Sequence, residues 1–143
     1  MNTVSSILSR KGRSSVTVAP DTSVSEALQI MAEKNIGSVV VMQGEEYLGI
    51  MTERDYSRKV ILKGKHSTST QVSEIMSTDM PLVKPNDTVE HCMELMTSKN
   101  IRYMPVFENN KLIGIISMSD IVKETIIMQK DTINHLESYI RNV

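Results

Sequence analysis

The chain is one unit written twice. Residues 18–56 align with residues 83–121 without a gap, at a constant offset of 65. The identities include Pro20/Pro85, Val24/Val89, Met31/Met96, Lys34-Asn35-Ile36/Lys99-Asn100-Ile101, Val41/Val106, Gly49-Ile50/Gly114-Ile115 and Asp55/Asp120. A shorter piece also recurs: Val4-Ser5-Ser6-Ile7-Leu8-Ser9 resembles Val72-Ser73-Glu74-Ile75-Met76-Ser77 at an offset of 68, so the first copy carries three extra residues around 10–15. A repeat of this length is one supersecondary unit used twice, and each copy is too small to bury an adequate core alone.

Both copies read the same way. Val16-Thr17-Val18 and Pro81-Leu82-Val83 are short extended segments, each with a Pro two residues on. A helix follows: Ser23 with Glu26 makes a capping-box pattern, and Val24, Ala27, Leu28 and Met31 form one apolar stripe. Val89, Cys92, Met93 and Met96 repeat the stripe. Residues 38–42 and 47–51 then predict a β-hairpin around a polar turn at 43–46, matched by 104–107 and 112–116 around 108–111. A second helix opens at Thr52 or Ser117. The expected fold is α/β (α+β): two tandem β-α-β-β-α motifs packed about a pseudo-twofold axis, plus a C-terminal helix. The expected boundaries are 4–63 for the first motif, 64–71 for a polar linker, 72–125 for the second motif and 126–143 for the final helix. In that helix Ile126, Ile133, Leu136, Ile140 and Val143 make a near-heptad seam interrupted by Gln129, suited to its own domain or to a subunit contact.

The strongest local feature occurs in both copies. Gly49-Ile50-Met51-Thr52-Glu53-Arg54-Asp55 matches Gly114-Ile115-Ile116-Ser117-Met118-Ser119-Asp120. Each places a hydroxyl at a helix N-cap directly after a strand, where free N–H groups and the positive dipole end can receive a phosphate. The acid lies near the same helix end, within reach of the hydroxyls of a ribose, and the Gly would let a ligand approach the backbone. The alternative is a plain capping box, in which the acid bonds the cap's own N–H. Recurrence in both halves favours the ligand reading. Arg102 adds a guanidinium suited to phosphate, and Arg54 can face the same group. Arg58, Lys59, Lys63, Lys65 and His66 read as a solvated face. Arg10, Lys11 and Arg13 precede the first strand, where they suit either a second phosphate or a transit-like leader.

Composition narrows the function. A net charge of −1 supplies no general drive toward DNA. With no Trp and one Phe, the core must be filled by aliphatics and eleven Met, which pack adaptably. One Cys excludes an internal disulfide and fits a reducing, cytoplasmic setting. Cys92 reads as buried filler. No apolar run approaches the ~20 residues of a membrane helix. His66, His91 and His135 lack metal-ligand spacing, and no nucleophile is paired with a base, so neither metal nor catalysis is expected.

From about Val4 to Val122 the sequence resembles the CBS domain family, as two motifs forming one Bateman module. The resemblance rests on Val18-x-Pro20 and Val83-x-Pro85, the Met/Lys-Asn-Ile helix ends, Tyr103-Met104-Pro105-Val106, and the two Gly-x-x-[Ser/Thr]-x-x-Asp segments. It implies a regulatory module that binds AMP, ADP, ATP or, in some members, NAD or S-adenosylmethionine, in two clefts between the motifs. It also implies a homodimer and a regulated partner protein. One cleft would use Ser117 and Asp120 with Arg102 and Tyr103, over Val16, Thr17, Val18, Gly37 and Ser38. The other would use Thr52, Asp55 and Arg54 with Leu82, Val83, Tyr103 and Met104. The family's Pro, present as Pro105, is replaced by Val40 in the first copy, which favours the Ser117/Asp120 cleft. A ligand-free structural or interaction dimer is the alternative.

Overall fold

Two stop signals set the helix lengths. Asn35 and Asn100 each take the left-handed conformation, at φ 53°, and end helices α2 (Val24–Lys34) and α4 (Val89–Lys99). Asn tolerates this region better than other residues with a Cβ, so the repeated Lys-Asn-Ile marks where each helix must turn into a strand. Both helices start on a hydroxyl cap: Ser23 Oγ accepts from the Glu26 N–H and Thr88 Oγ1 from the His91 N–H.

The computed structural model describes residues 2–141. Its elements run α1 (Val4–Lys11), β1 (Thr17–Val18), α2, β2 (Ser38–Gln43), β3 (Glu46–Thr52), α3 (Glu53–Tyr56), a π turn at Ser57–Ile61, a 3₁₀ turn at Val72–Glu74, α4, β4 (Tyr103–Glu108), β5 (Lys111–Ser117) and α5 (Met118–Arg141). Val143, the last residue of the expected seam, lies outside the described residues.

The compact units do not coincide with the repeats as written along the chain. One comprises residues 15–80 and the other residues 1–14 with 81–143. The offset-68 piece explains this. In the first unit the Val24 and Ser25 N–H groups at the start of α2 donate to Thr70 O and Ser67 O. In the second, Val89 N–H at the start of α4 donates to Asn2 O, while Val4 N–H donates to Asp87 O. Each helix opening has orphan donors, and a leading segment supplies their acceptors. The segment expected as a polar linker thus supplies acceptors to α2 and buries Thr70, while most of its residues stay exposed.

In the 15–80 unit, β1 runs parallel to β2, and β2 pairs antiparallel with β3. Val18, Val24, Ala27, Met31, Val39, Val41, Met51, Val60, Val72 and Ile75 form its core. In the other unit β4 and β5 form the hairpin. Val4, Ile7, Leu8, Val83, Val89, Cys92, Met96, Met104, Val106, Ile116 and Ile121 fill its core, so Cys92 is the buried filler expected.

Three local expectations are corrected. Residues 81–83 form a single bridge at Val83 rather than a strand. The reason is Pro105: its counterpart Val40 donates its N–H to Val16 O, a bond that Pro105 has no hydrogen to make. The helix opening at Thr52 lasts four residues before widening into the π turn. Finally, the C-terminal helix does not begin at 126; α5 is one continuous helix of 24 residues from Met118.

Candidate functional site

The two helix openings share a backbone plan. Ser38 pairs with Thr52 across one hairpin and Tyr103 with Ser117 across the other. Glu53 N–H donates to Gly37 O, and Met118 N–H to Arg102 O. The hydroxyl of each cap accepts from the N–H of its acid, Asp55 N to Thr52 Oγ1 and Asp120 N to Ser117 Oγ, both at 3.1 Å. The acids in turn accept from the cap N–H groups, Thr52 N to Asp55 Oδ2 and Ser117 N to Asp120 Oδ2, both at 2.9 Å. Both openings are therefore capping boxes.

They differ in what else the acid holds. Asp55 is 5% exposed. Its Oδ2 also accepts from Thr52 Oγ1 at 3.0 Å, and its Oδ1 accepts from Ser77 Oγ and Lys59 Nζ, each at 2.9 Å. A carboxylate offers about four acceptor sites, so Asp55 is saturated by its own chain. Thr52 and Asp55, expected to offer a sugar-binding edge, thus hold their own chain in this structure. Asp120 has a 15% exposed side chain. Its Oδ2 accepts from Ser117 N and from Lys11 Nζ at 2.7 Å, and Oδ1 accepts no hydrogen bond among the described residues. In the first turn of α5 the Ser117, Met118 and Asp120 N–H groups are satisfied, and Ser119 is exposed.

Lys11, which the sequence offered with Arg10 and Arg13 as suited to a second phosphate or a leader, stands at the Asp120 opening. Its ammonium bonds Ile115 O at 2.9 Å as well as Asp120. In the 15–80 unit the matching carbonyl, Ile50 O, accepts instead from Ser77 N–H. Lys11 thus stands where a backbone–hydroxyl pair stands in the other copy. Arg10 pairs with the buried Glu124 at 3.2 Å, and Arg13 with Glu108 at 3.4 Å. Asn2 Nδ2 also donates to Glu124. Each basic side chain of this segment is tied to its own unit, Lys11 at the Asp120 opening.

The remaining expected residues sort by unit. Gly37, Ser38 and Arg54 lie with Thr52 and Asp55 at one end of the three-stranded sheet, while Val16 O accepts from Val40 N–H and Thr17 and Val18 pair with Val40 and Val41 further along β2. Arg102, Tyr103, Met104, Pro105 and Val83 gather around Ser117 and Asp120: Val83 N–H donates to Pro105 O, and Pro105 pairs with Ile115. Met104, Pro105 and Val83 are buried, Tyr103 is half-buried, and Arg102 and Leu82 are exposed.

The motif glycines lie close against their own chain. A Cβ on Gly49 would stand 2.6 Å from Ser77 O, and one on Gly114 would stand 2.9 Å from Leu8 Cδ2. The atoms that approach these two glycines belong to the leading segment of each unit. Cys92 contributes no reactive thiol, since burial and the nearby Asp87 charge push it up to about 11. Among the described residues no cluster of three or more His, Cys, Asp or Glu could hold a metal, and no helix is long and apolar enough to cross a membrane.

Comparison with known proteins adds an independent line. The sequence profile of the CBS domain matches residues 4–61 and 72–126. A CBS domain-containing protein of Arabidopsis thaliana, CBSX3, named as mitochondrial, is 35% identical over 97% of this chain and 72% of its own. The crystal structure of the CBS domain protein NE2398 superposes with a TM-score of 0.84 at 45% identity, covering 88% of this chain and 99% of that one. The CBS domain pair of protein MJ0100, crystallised with 5′-methylthioadenosine and S-adenosyl-L-methionine, shares the fold at 24% identity and a TM-score of 0.76, covering 87% and 99%.

Proposed function

The chain belongs to the CBS domain family as a tandem pair, a regulatory ligand-binding module, and we propose that it senses an adenine nucleotide through the Ser117–Asp120 opening of α5. The half-open Asp120 carboxylate carries this reading: Oδ1 remains as an acceptor for ribose hydroxyls while Oδ2 is fixed by Ser117 N–H and Lys11. A phosphate then takes the Ser119 N–H at the positive end of α5. Lys11 and Arg102 supply cations for it, and Tyr103 supplies the half-buried aromatic beside it. Two cations favour a phosphorylated ligand (AMP, ADP, ATP or NAD) over the sulfonium of S-adenosylmethionine. The adenosine ligands of MJ0100 belong to that protein and support only the class.

The 15–80 unit takes a second reading. The saturation of Asp55 favours a structural, ligand-free opening there, in which Val16, Thr17, Val18, Gly37, Ser38 and Arg54 of the same unit hold no ligand. The module is regulatory rather than catalytic and acts on a partner protein, as a homodimer, in a reducing compartment such as the cytoplasm; the buried Cys92 thiol suits that setting.

A thermal-shift panel tests the ligand class. AMP, ADP, ATP and NAD raise the melting temperature, adenosine raises it less, and Lys11→Met narrows the difference between AMP and adenosine. No shift with any of them at millimolar concentration would defeat the reading.

A further inference from the structure

The outer half of α5 has no cover of its own. Every residue from 129 to 141 is exposed, although α5 is anchored at its other end by the buried Ile121 and Glu124. Along this free rod run Ile126, Ile133, Leu136 and Ile140, from 44% exposed at Ile126 to 70% at Ile140. Their 7, 3, 4 spacing is the seam of a coiled coil. A helical stretch of this length is marginal alone in water, because helix in proteins is held mainly by a packed face.

The charges beside the seam identify the occupant. With Ile126, Ile133 and Ile140 at one core position and Gln129 and Leu136 at the other, Lys130 and Glu137 occupy the same flanking position one heptad apart. In an antiparallel pair that position faces itself. Ile133 then meets the partner's Leu136, and Lys130 meets the partner's Glu137, with each contact made twice across the twofold axis. In a parallel pair Lys130 and Glu137 would instead face Thr125 and Thr132, and neither charge would be matched. Lys130 and Glu137 are too far apart on one helix to pair with each other. The flanks also carry Asp131 along with Lys130 and Glu137, unlike the Lys/Arg-rich polar face of a helix that lies on a membrane. We infer that the outer half of α5 is a self-association surface, on which a second copy of this chain docks its own α5 in the antiparallel sense. The inference stands apart from the ligand reading.

Sedimentation equilibrium of the full chain tests it. The wild type self-associates, and Ile133→Asp with Leu136→Asp weakens the dissociation constant at least tenfold, while circular dichroism confirms that the units stay folded. Lys130→Glu and Glu137→Lys each weaken it severalfold, and the two together restore it. A double charge variant as weak as the single ones would overturn the antiparallel assignment. An unchanged constant in the Asp variant would overturn the surface itself. So would a monomeric wild type whose stripe binds phospholipid vesicles or a different protein.

Discussion

The Lys11 ammonium sits 2.7 Å from Asp120 Oδ2 and ties the first helix of the chain to the opening of its last. The equivalent Asp55 is held by Lys59 from within its own helical turn and by Ser77. The same motif is thus open in one repeat and closed in the other, and the consequences are measurable.

The two acids should fail differently. Asp55→Asn removes a buried charge that holds four donors, and a loss of about 2–4 kcal/mol of stability is expected. Asp120→Asn is half-open and should cost about 1 kcal/mol or less. Urea unfolding of the two variants checks the order. Equal losses would contradict the asymmetry.

The glycines give a second pair. Gly49→Ala drives a Cβ into the backbone carbonyl of Ser77, whereas Gly114→Ala meets the movable end of Leu8. A rigid clash in a packed interior costs about 1–3 kcal/mol. Gly49→Ala should therefore lower the melting temperature by several degrees more than Gly114→Ala, as calorimetry would register.

Cys92 predicts a pH dependence. Its folded value, about 11, lies above the ordinary 9.0. The folded state therefore holds the proton longer than the unfolded state, and the contribution is complete below pH 9 and lost as pH rises toward 11. Stability should fall across that window, and Cys92→Ala should flatten the fall. The residual slope comes from Tyr47, pushed up to about 12 by burial. At pH 8 the native thiol should react with a disulfide reagent only as fast as the protein unfolds.

Much of this architecture was legible because its signals are local. The αL stops at Asn35 and Asn100, the hydroxyl caps and both hairpins each need only a few neighbouring residues to specify them. What escaped depends on pairings remote in sequence. Nothing near Lys11 announces a partner at Asp120, and nothing near Arg10 and Arg13 announces Glu124 and Glu108. The glycines were assigned close approach, and the atoms of the chain that approach them are Ser77 O and Leu8 Cδ2. Pro105 shows a local cause with a remote effect: the missing N–H was visible in the sequence, but the strand that it prevents lies more than twenty residues earlier. The repeat itself hid the exchange of leading segments, since an alignment groups residues by order and not by contact.

Isothermal titration of AMP into the wild type, Asp120→Ala and Asp55→Asn bears on the whole account. Micromolar binding at about one site per chain is predicted, weakened at least tenfold by Asp120→Ala and kept within about threefold by Asp55→Asn, given that tenfold corresponds to about 1.4 kcal/mol. Binding that survives Asp120→Ala and disappears with Asp55→Asn in a folded protein would contradict the assignment of the site to the second repeat.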